Sequence, residues 1–246
     1  MRTHNGFRKY GFHGISHHYV AMEAARILNR PLDRLNAVSC HLGSGGASLC
    51  AIVAGQSVDN TMGYSPLQGL VMSTRCGDLD PSVCLQLMAL NNGDVKSVEK
   101  TLNIQSGVLG LSHYTSDIRD VLKEGRTGAA QSHEEILTMQ IYLWRIRKYL
   151  GAYLAVVGST DTVIFTDTIG VTVPTIRWAI CKDMEVFGVE MDADRNKNIS
   201  TLPADIATPE SRVRILVIAT NEELAIARQS YMAFHEESEM CEKEGV

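Results

Sequence analysis

The sequence predicts an α/β fold built around a mixed sheet. Three observations lead there. The chain opens with short apolar runs separated by glycine turns, which is the pattern of hairpins. It closes with strand-length and helix-length apolar segments in alternation. Between them, residues 129–158 carry apolar side chains at three- and four-residue steps, so a long helix should lie at the centre of the core.

The elements follow in order. "SHHYVAMEAARILNR" places Val20, Ala24, Ala25 and Ile27 at helical spacing, and Pro31 follows it. "LNAVSC" reads as a buried strand and "ASLCAIVAG" as a second, with a turn at Gly55-Gln56 and a third strand in "QSVDNTMG". The glycines between the first two therefore join antiparallel strands. Pro66 and Gly69 mark a loop, as does "MSTRCGDLDP", and Pro81 is placed to start a helix. "SVEKTLNIQSG" predicts a helix closed by Gly107. "SDIRDVLKEG" predicts a short one capped by Ser116 or Asp117 and stopped by Gly125. "DTVIFT" and "RVRILVIA" read as strands. "PTIRWAICKDMEVFG" and "NEELAIARQSYMAF" read as helices, the latter capped by Asn221. Residues 232–246 form an acidic tail expected to fray.

The bulk numbers bound the function. A chain of 246 residues that is 45% hydrophobic can bury a real core. A formal charge of −5 and scattered Lys and Arg give no basic field for nucleic acid or membrane. The 6 cysteines form no CxxC pair or zinc spacing, and no apolar run is long enough to span a bilayer. A cytoplasmic protein is expected.

The segment "HLGSGGAS", residues 41–48, carries the functional question. It lacks the Gly-Lys-Ser/Thr ending of a P-loop, and a strand rather than a helix follows it. What remains is a hairpin whose glycine backbone turns several N–H groups toward one point, a nest for phosphate oxygens. From the residues alone, a glycine-rich turn with no ligand is the commoner case.

The loop has company. "YGFHGISHHYV" precedes it, "SVDNTMGYSPLQGLVMSTRCGDLDP" follows it, and "SGVLGLSHYTSDIRDV", "RIRKYLGAYLA", "VIFTDTIG" and "TNEELAIAR" come later in that order. From about Arg8 to about Gln229 the chain resembles the acetate kinase family of the acetate and sugar kinase, heat-shock 70 and actin superfamily. The resemblance implies a ribonuclease H-like mixed sheet flanked by helices. This would be a single actin-like ATPase lobe, the second of a two-lobe kinase with nucleotide in the cleft. It implies phosphoryl transfer from ATP to acetate with Mg²⁺, and a homodimer.

Carried over residue by residue, the resemblance assigns transition-state stabilisation to His13 and Arg75. It assigns the phosphate loop to His41, Leu42, Gly43, Ser44 and Gly45, and an adenine-side segment to Asp117, Ile118 and Arg119. A second nucleotide loop falls on Thr168, Ile169, Gly170, Val171 and Thr172. Phe12 and Pro66 would line the acetate pocket, and Glu222 would help hold Mg²⁺. Each residue has a plainer role open to it. His13 and His41 could be hydrogen-bonded structural histidines, Arg75 could bridge to Asp78 or Asp80, and His17 could serve a helix start. Glu222 and Glu223 would suit a helix dipole without any metal.

The departures from the family pattern are specific. Ser44 replaces the asparagine of HLGNG. The second loop loses one glycine, the glutamate and the asparagine of GIGEN, which predicts weaker grip on a nucleoside. Gln68 stands where a glutamate is usual. The resemblance covers the second lobe, so the first-lobe arginine, aspartate and N-A-G-S-S-S strands are expected to be missing from this chain, or to come from a separate one. The expectation is little turnover by this chain alone. A non-catalytic nucleotide-binding or dimerising fragment, and a propionate or butyrate kinase, are the alternatives.

Overall fold

A computed structural model describes residues 6–123 and 132–244. Among them, strands β1 (Ala37–Leu42), β2 (Ala47–Val53), β3 (Gln56–Asn60), β4 (Thr162–Thr166), β5 (Ala204–Asp205) and β6 (Arg214–Val217) form one sheet. Its order is β3-β2-β1-β4-β6-β5. β1 runs antiparallel to β2 from Ala37↔Ile52 to Leu42↔Ala47, so the glycine segment is a hairpin as expected. β1 pairs parallel with β4, and β4 parallel with β6. A meander followed by parallel strands is the mixed, ribonuclease H-like order.

The topology decides where a ligand can sit. β1, β4 and β6 point the same way, with His41 opposite Thr166 and Phe165 opposite Val217. Their carboxyl ends therefore share one edge, and in open α/β sheets that edge is where ligands bind. The glycine hairpin, the turn after β4 and the segment after β6 all emerge there.

Helices cover both faces. α1 (Gly14–Ile27) buries Val20, Ala21, Ala24 and Ala25 against Ala37, Cys50, Ile52 and Ile164 on one side of the sheet. α6 (His133–Val157) buries Tyr142, Ile146, Leu150 and Leu154 on the other, against Val38, Cys40, Leu42 and Leu49. The alternation along β1 is thus Ala37, Ser39 and His41 toward α1, and Val38, Cys40 and Leu42 toward α6. α6 starts with a capping box in which Ser132 and Glu135 exchange bonds, and the long periodic stretch is the central helix the pattern predicts. The chain ends in α10 (Glu222–Glu244), opened by Asn221, whose side chain accepts from the Leu224 N–H at 2.9 Å.

The remaining helices are α2 (Pro81–Leu90), α3 (Val95–Ile104), α4 (Gly107–Ser112), α5 (Ile118–Leu122), α7 (Asp167–Thr172), α8 (Pro174–Cys181) and α9 (Ala193–Lys197). Asp80, Asp94 and Asp117 cap α2, α3 and α5 with their carboxylates. Several expectations need revision. Gly107 does not merely close a helix: with φ at +63° it opens α4. The helix read over 174–188 stops at Cys181, and a turn of 3-10 helix and Gly188 follow. α10 runs on to Glu244, through most of the acidic tail. Gly125 lies outside the described residues, as do Ala129, Ala130 and Gln131 of the long periodic stretch. No helix among the described residues is long and apolar enough to cross a membrane.

Candidate phosphate site

The glycine hairpin closes tightly. The Gly43 N–H donates to Gly46 O at 3.0 Å, so that amide is spent on the turn itself. Gly43 must be glycine: a Cβ there would collide with the Asp167 carboxylate and come within 2.7 Å of Gly46 O. A Cβ on Gly46 would lie 3.3 Å from Arg75 Nη1 and 3.4 Å from His13 Nε2. A guanidinium and an imidazole therefore converge over bare backbone, closer than most side chains there would tolerate. Small anions bind such places.

His13 is held by a chain of hydroxyls and imidazoles. It precedes α1 in a left-handed conformation at φ +56°. Its Nδ1 lies 2.9 Å from Ser48 Oγ, which lies 2.8 Å from His17 Nε2. His17 Nδ1 in turn lies 2.9 Å from Ser39 Oγ. Burial, then the neighbouring His41, lowers His13 to about 4, with Arg75 adding to the fall and Asp167 opposing it. Burial lowers His17 as well, with His41 and His13 contributing. Both rings are therefore neutral at pH 7, each with one donor and one acceptor nitrogen. Ser48 has one proton to give, so the whole chain has two proton arrangements. In one of them His13 Nε2 carries its proton toward the loop, as a hydrogen-bond donor.

His17 was expected at most to serve a helix start, and instead is buried in this network. Ser16, Ser39 and Ser48 are also part of it, and sequence reading did not single them out. The spacing did hold the signal. His13, Ser16 and His17 fall on one helical face, and Ser39 and His41 alternate onto one side of β1.

His41 lies in the same cluster. Its ring stacks on His13 with centroids 4.1 Å apart. Its Nδ1 meets Ser16 Oγ and its Nε2 meets Asp167 Oδ2, each at 2.9 Å. The hydrogen bond from His41 holds Asp167 well below the usual carboxylate range.

Arg75 does not bridge to Asp78 or Asp80. It donates to Pro66 O at 3.4 Å and to Met72 Sδ at 3.6 Å, and among the described residues it has no carboxylate partner. Asp78 is taken by Tyr149 at 2.5 Å and lies 3.7 Å from Arg145. The Arg75 charge is thus left for something else. Its contact with Pro66 also ties it to the apolar residues. Phe12, Tyr10, Tyr64 and Pro66 line one shallow open depression, so the two expected pocket residues do come together beside Arg75 and His13.

Other expected residues do not converge. Asp117 and Arg119 bond each other, Nε to Oδ1 at 2.9 Å and Nη2 to Oδ2 at 2.6 Å. That bond lowers Asp117, and Ile118 is core. Thr168–Thr172 is not a loop but the body of α7. Ile169 is buried in the core, and Thr172 Oγ1 bonds back to Thr168 O at 2.7 Å. The buried Arg177 donates to Gly170 O and Val171 O at 2.9 and 2.7 Å. These bonds fix the segment as a short helix rather than an open loop. Leu42 likewise points into the core and Gly43 is buried beneath Asp167, leaving Ser44 and Gly45 exposed and Gly46 half-buried.

Glu222 opens α10 on the segment after β6, exposed at the same sheet edge. Mg²⁺ is commonly held through one or two carboxylates plus substrate phosphates. An exposed carboxylate fits that donor chemistry, and no group of three His, Cys, Asp or Glu among the described residues could hold a metal by itself. The Thr166 and Thr220 hydroxyls, at the ends of β4 and β6, are buried without a protein partner. Polar groups near this edge are thus left for a ligand or water.

The fold and site together define an actin-like lobe with a glycine hairpin, an unpaired arginine and a neutral histidine at its ligand edge. The Acetokinase family model matches residues 1–228, and the chain belongs to that family. It is 45% identical over 225 residues to the acetate kinase of Halothermothrix orenii, covering 92% of this chain and 55% of that protein. The crystal structure of Porphyromonas gingivalis acetate kinase superposes with a TM-score of 0.86 at 37% identity, over 92% of this chain and 56% of that one. A propionate kinase from Francisella tularensis gives 0.81 at 37% identity, over 91% and 55%. The chain thus spans about 55% of the length of the curated relatives it matches.

Proposed function

We propose that this chain supplies one wall of an acetate kinase-type site, which moves a phosphoryl group between ATP and a short-chain carboxylate. The convergence of His13 Nε2 and Arg75 Nη1 over Gly46 carries this reading. Phosphoryl transfer requires little covalent chemistry from a protein and much positioning and charge stabilisation. Arg75 provides a fixed cation. His13 provides a neutral donor whose ring is set by Ser48 and His17. The depression at Phe12 and Pro66 would receive the alkyl end of the carboxylate, and its open shape suits acetate or propionate alike. Mg²⁺, when bound with the nucleotide, would neutralise phosphate charge, with Glu222 as its protein donor.

The reading includes a second wall. Groups from two sides of a closing cleft must meet, and well-oriented reactants lower the barrier by about 7–11 kcal/mol. We therefore expect little turnover by these residues alone and substantial turnover when a first lobe is supplied, in the same or a separate chain. A homodimer and a cytoplasmic setting belong to the same reading. The free thiols Cys40, Cys50, Cys76, Cys84 and Cys181 support the second of these.

Acetyl phosphate formation, trapped as the hydroxamate, tests it with a first lobe supplied. Replacing either His13 or Arg75 with alanine should lower the rate roughly 100-fold or more. Activity that survives both substitutions would remove the site from the reaction.

A further inference from the structure

The two halves of the glycine hairpin face different neighbours. Over Gly46 stand Arg75 Nη1 and His13 Nε2. Over Gly43 stands a carboxylate of the chain itself, that of Asp167, close enough that a Cβ on Gly43 would collide with it. Asp167 is firmly seated. Its Oδ2 accepts from His41 Nε2 at 2.9 Å, and its Oδ1 accepts from the Thr168 N–H at 2.6 Å and hydroxyl at 3.0 Å. Its backbone is left-handed at φ +63°, a conformation rare outside glycine. That conformation is found where β4 turns into α7 and brings the side chain onto the hairpin. The site therefore holds an anion of its own at one end and a cation at the other.

We propose that Asp167 sets the length of ligand the hairpin accepts. Its carboxylate fills the Gly43 half, and a bound anion is confined to the Gly46 half under His13 and Arg75. The class that fits is a single phosphoryl group, such as orthophosphate or the terminal group of an acyl phosphate. A run of three linked phosphates laid along the hairpin would bring negative charge against Asp167, and like charges juxtaposed at a binding site are strongly disfavoured. The inference rests on the hairpin being a phosphate site. It narrows that reading, because Asp167 then limits the grip on the polyphosphate tail of a nucleotide.

Calorimetric titration with sodium tripolyphosphate and with orthophosphate separates the two claims. Asp167→Asn keeps the shape and tolerates the left-handed backbone while removing the charge. Asp167→Gly removes the side chain as well. Tripolyphosphate affinity should rise roughly tenfold in Asp167→Asn and further in Asp167→Gly, with orthophosphate affinity changed less than about threefold. Unchanged or weaker tripolyphosphate binding, in variants that melt like the parent and still bind orthophosphate, overturns the role of Asp167 alone. Failure of the parent to bind orthophosphate, or binding indifferent to Arg75→Ala, overturns the phosphate site and this inference with it.

Discussion

The turn after β1 and the turn after β4 leave neighbouring parallel strands at the same edge of the sheet, His41 beside Thr166, yet they are built in opposite ways. The first is bare backbone. Its glycines present space, and its surroundings present Arg75 and a neutral His13. The second is closed. Asp167 bonds the start of α7, Arg177 clamps two of that helix's carbonyls, and Ile169 anchors it in the core. Both segments are expected from the family pattern to hold nucleotide, and they differ in how much of their backbone and surroundings is already engaged. Within a fold that puts two candidate turns side by side, what the surrounding side chains already hold sets the two apart.

The sharpest way to break the contrast is through Ser48, which lies beneath the open turn and touches both His13 and His17. Ser48→Ala removes a hydroxyl shared by two imidazoles. A buried polar group left without a partner costs about 1–3 kcal/mol, so the loss should be about 2–6 kcal/mol for the pair. The same substitution frees the His13 ring to rotate, so phosphate binding should weaken along with stability. Urea unfolding and calorimetry on one variant read both. A stability loss with phosphate affinity intact would show that the network only supports α1 and does not aim His13.

How much of this contrast the sequence shows follows from the kind of information each turn uses. The glycine hairpin is legible because glycine spacing, flanking apolar runs and the absence of a following helix are all local features. His13 and Arg75 needed a resemblance, since nothing local distinguishes a ligand-facing arginine from one paired with Asp78 or Asp80. Only the fold shows Asp78 taken by Tyr149. Asp167 escaped attention for a related reason. Its reach to Gly43 and His41 depends on a β1–β4 pairing that spans more than a hundred residues of chain. The helical nature of 168–172 was equally hidden, because the Arg177 contacts that hold it come from the next helix.

Acid should act on the open side in a definite direction. An unfolded His13 takes its proton near 6.5, whereas in the folded protein burial and His41 hold it off until about 4. Between those values the unfolded chain binds more protons, so the contribution to stability is complete above 6.5 and is lost as the pH falls through the window. His17, lowered by burial, acts with the same sign, and so does Asp167 as the pH enters the carboxylate range. The urea midpoint should therefore drop between about pH 7 and about pH 5, and the drop should shrink in His13→Gln. Equal midpoints at the two pH values would mean that these histidines are charged in the folded state.

The mildest change tests the other half of the comparison, the segments whose polar groups are already consumed. Arg119 and Asp117 form a partly exposed pair in which the carboxylate also caps α5. Removing the guanidinium in Arg119→Ala leaves the cap in place. Exposed pairs are worth about 0.2–1 kcal/mol, so the melting point should hardly move. If Asp117 and Arg119 serve only each other, orthophosphate binding at Gly46 should also be unchanged. A marked loss of nucleotide affinity, with orthophosphate affinity intact, would instead show that this pair opens to receive a ligand. The division between an open turn and closed segments would then describe only the state without ligand.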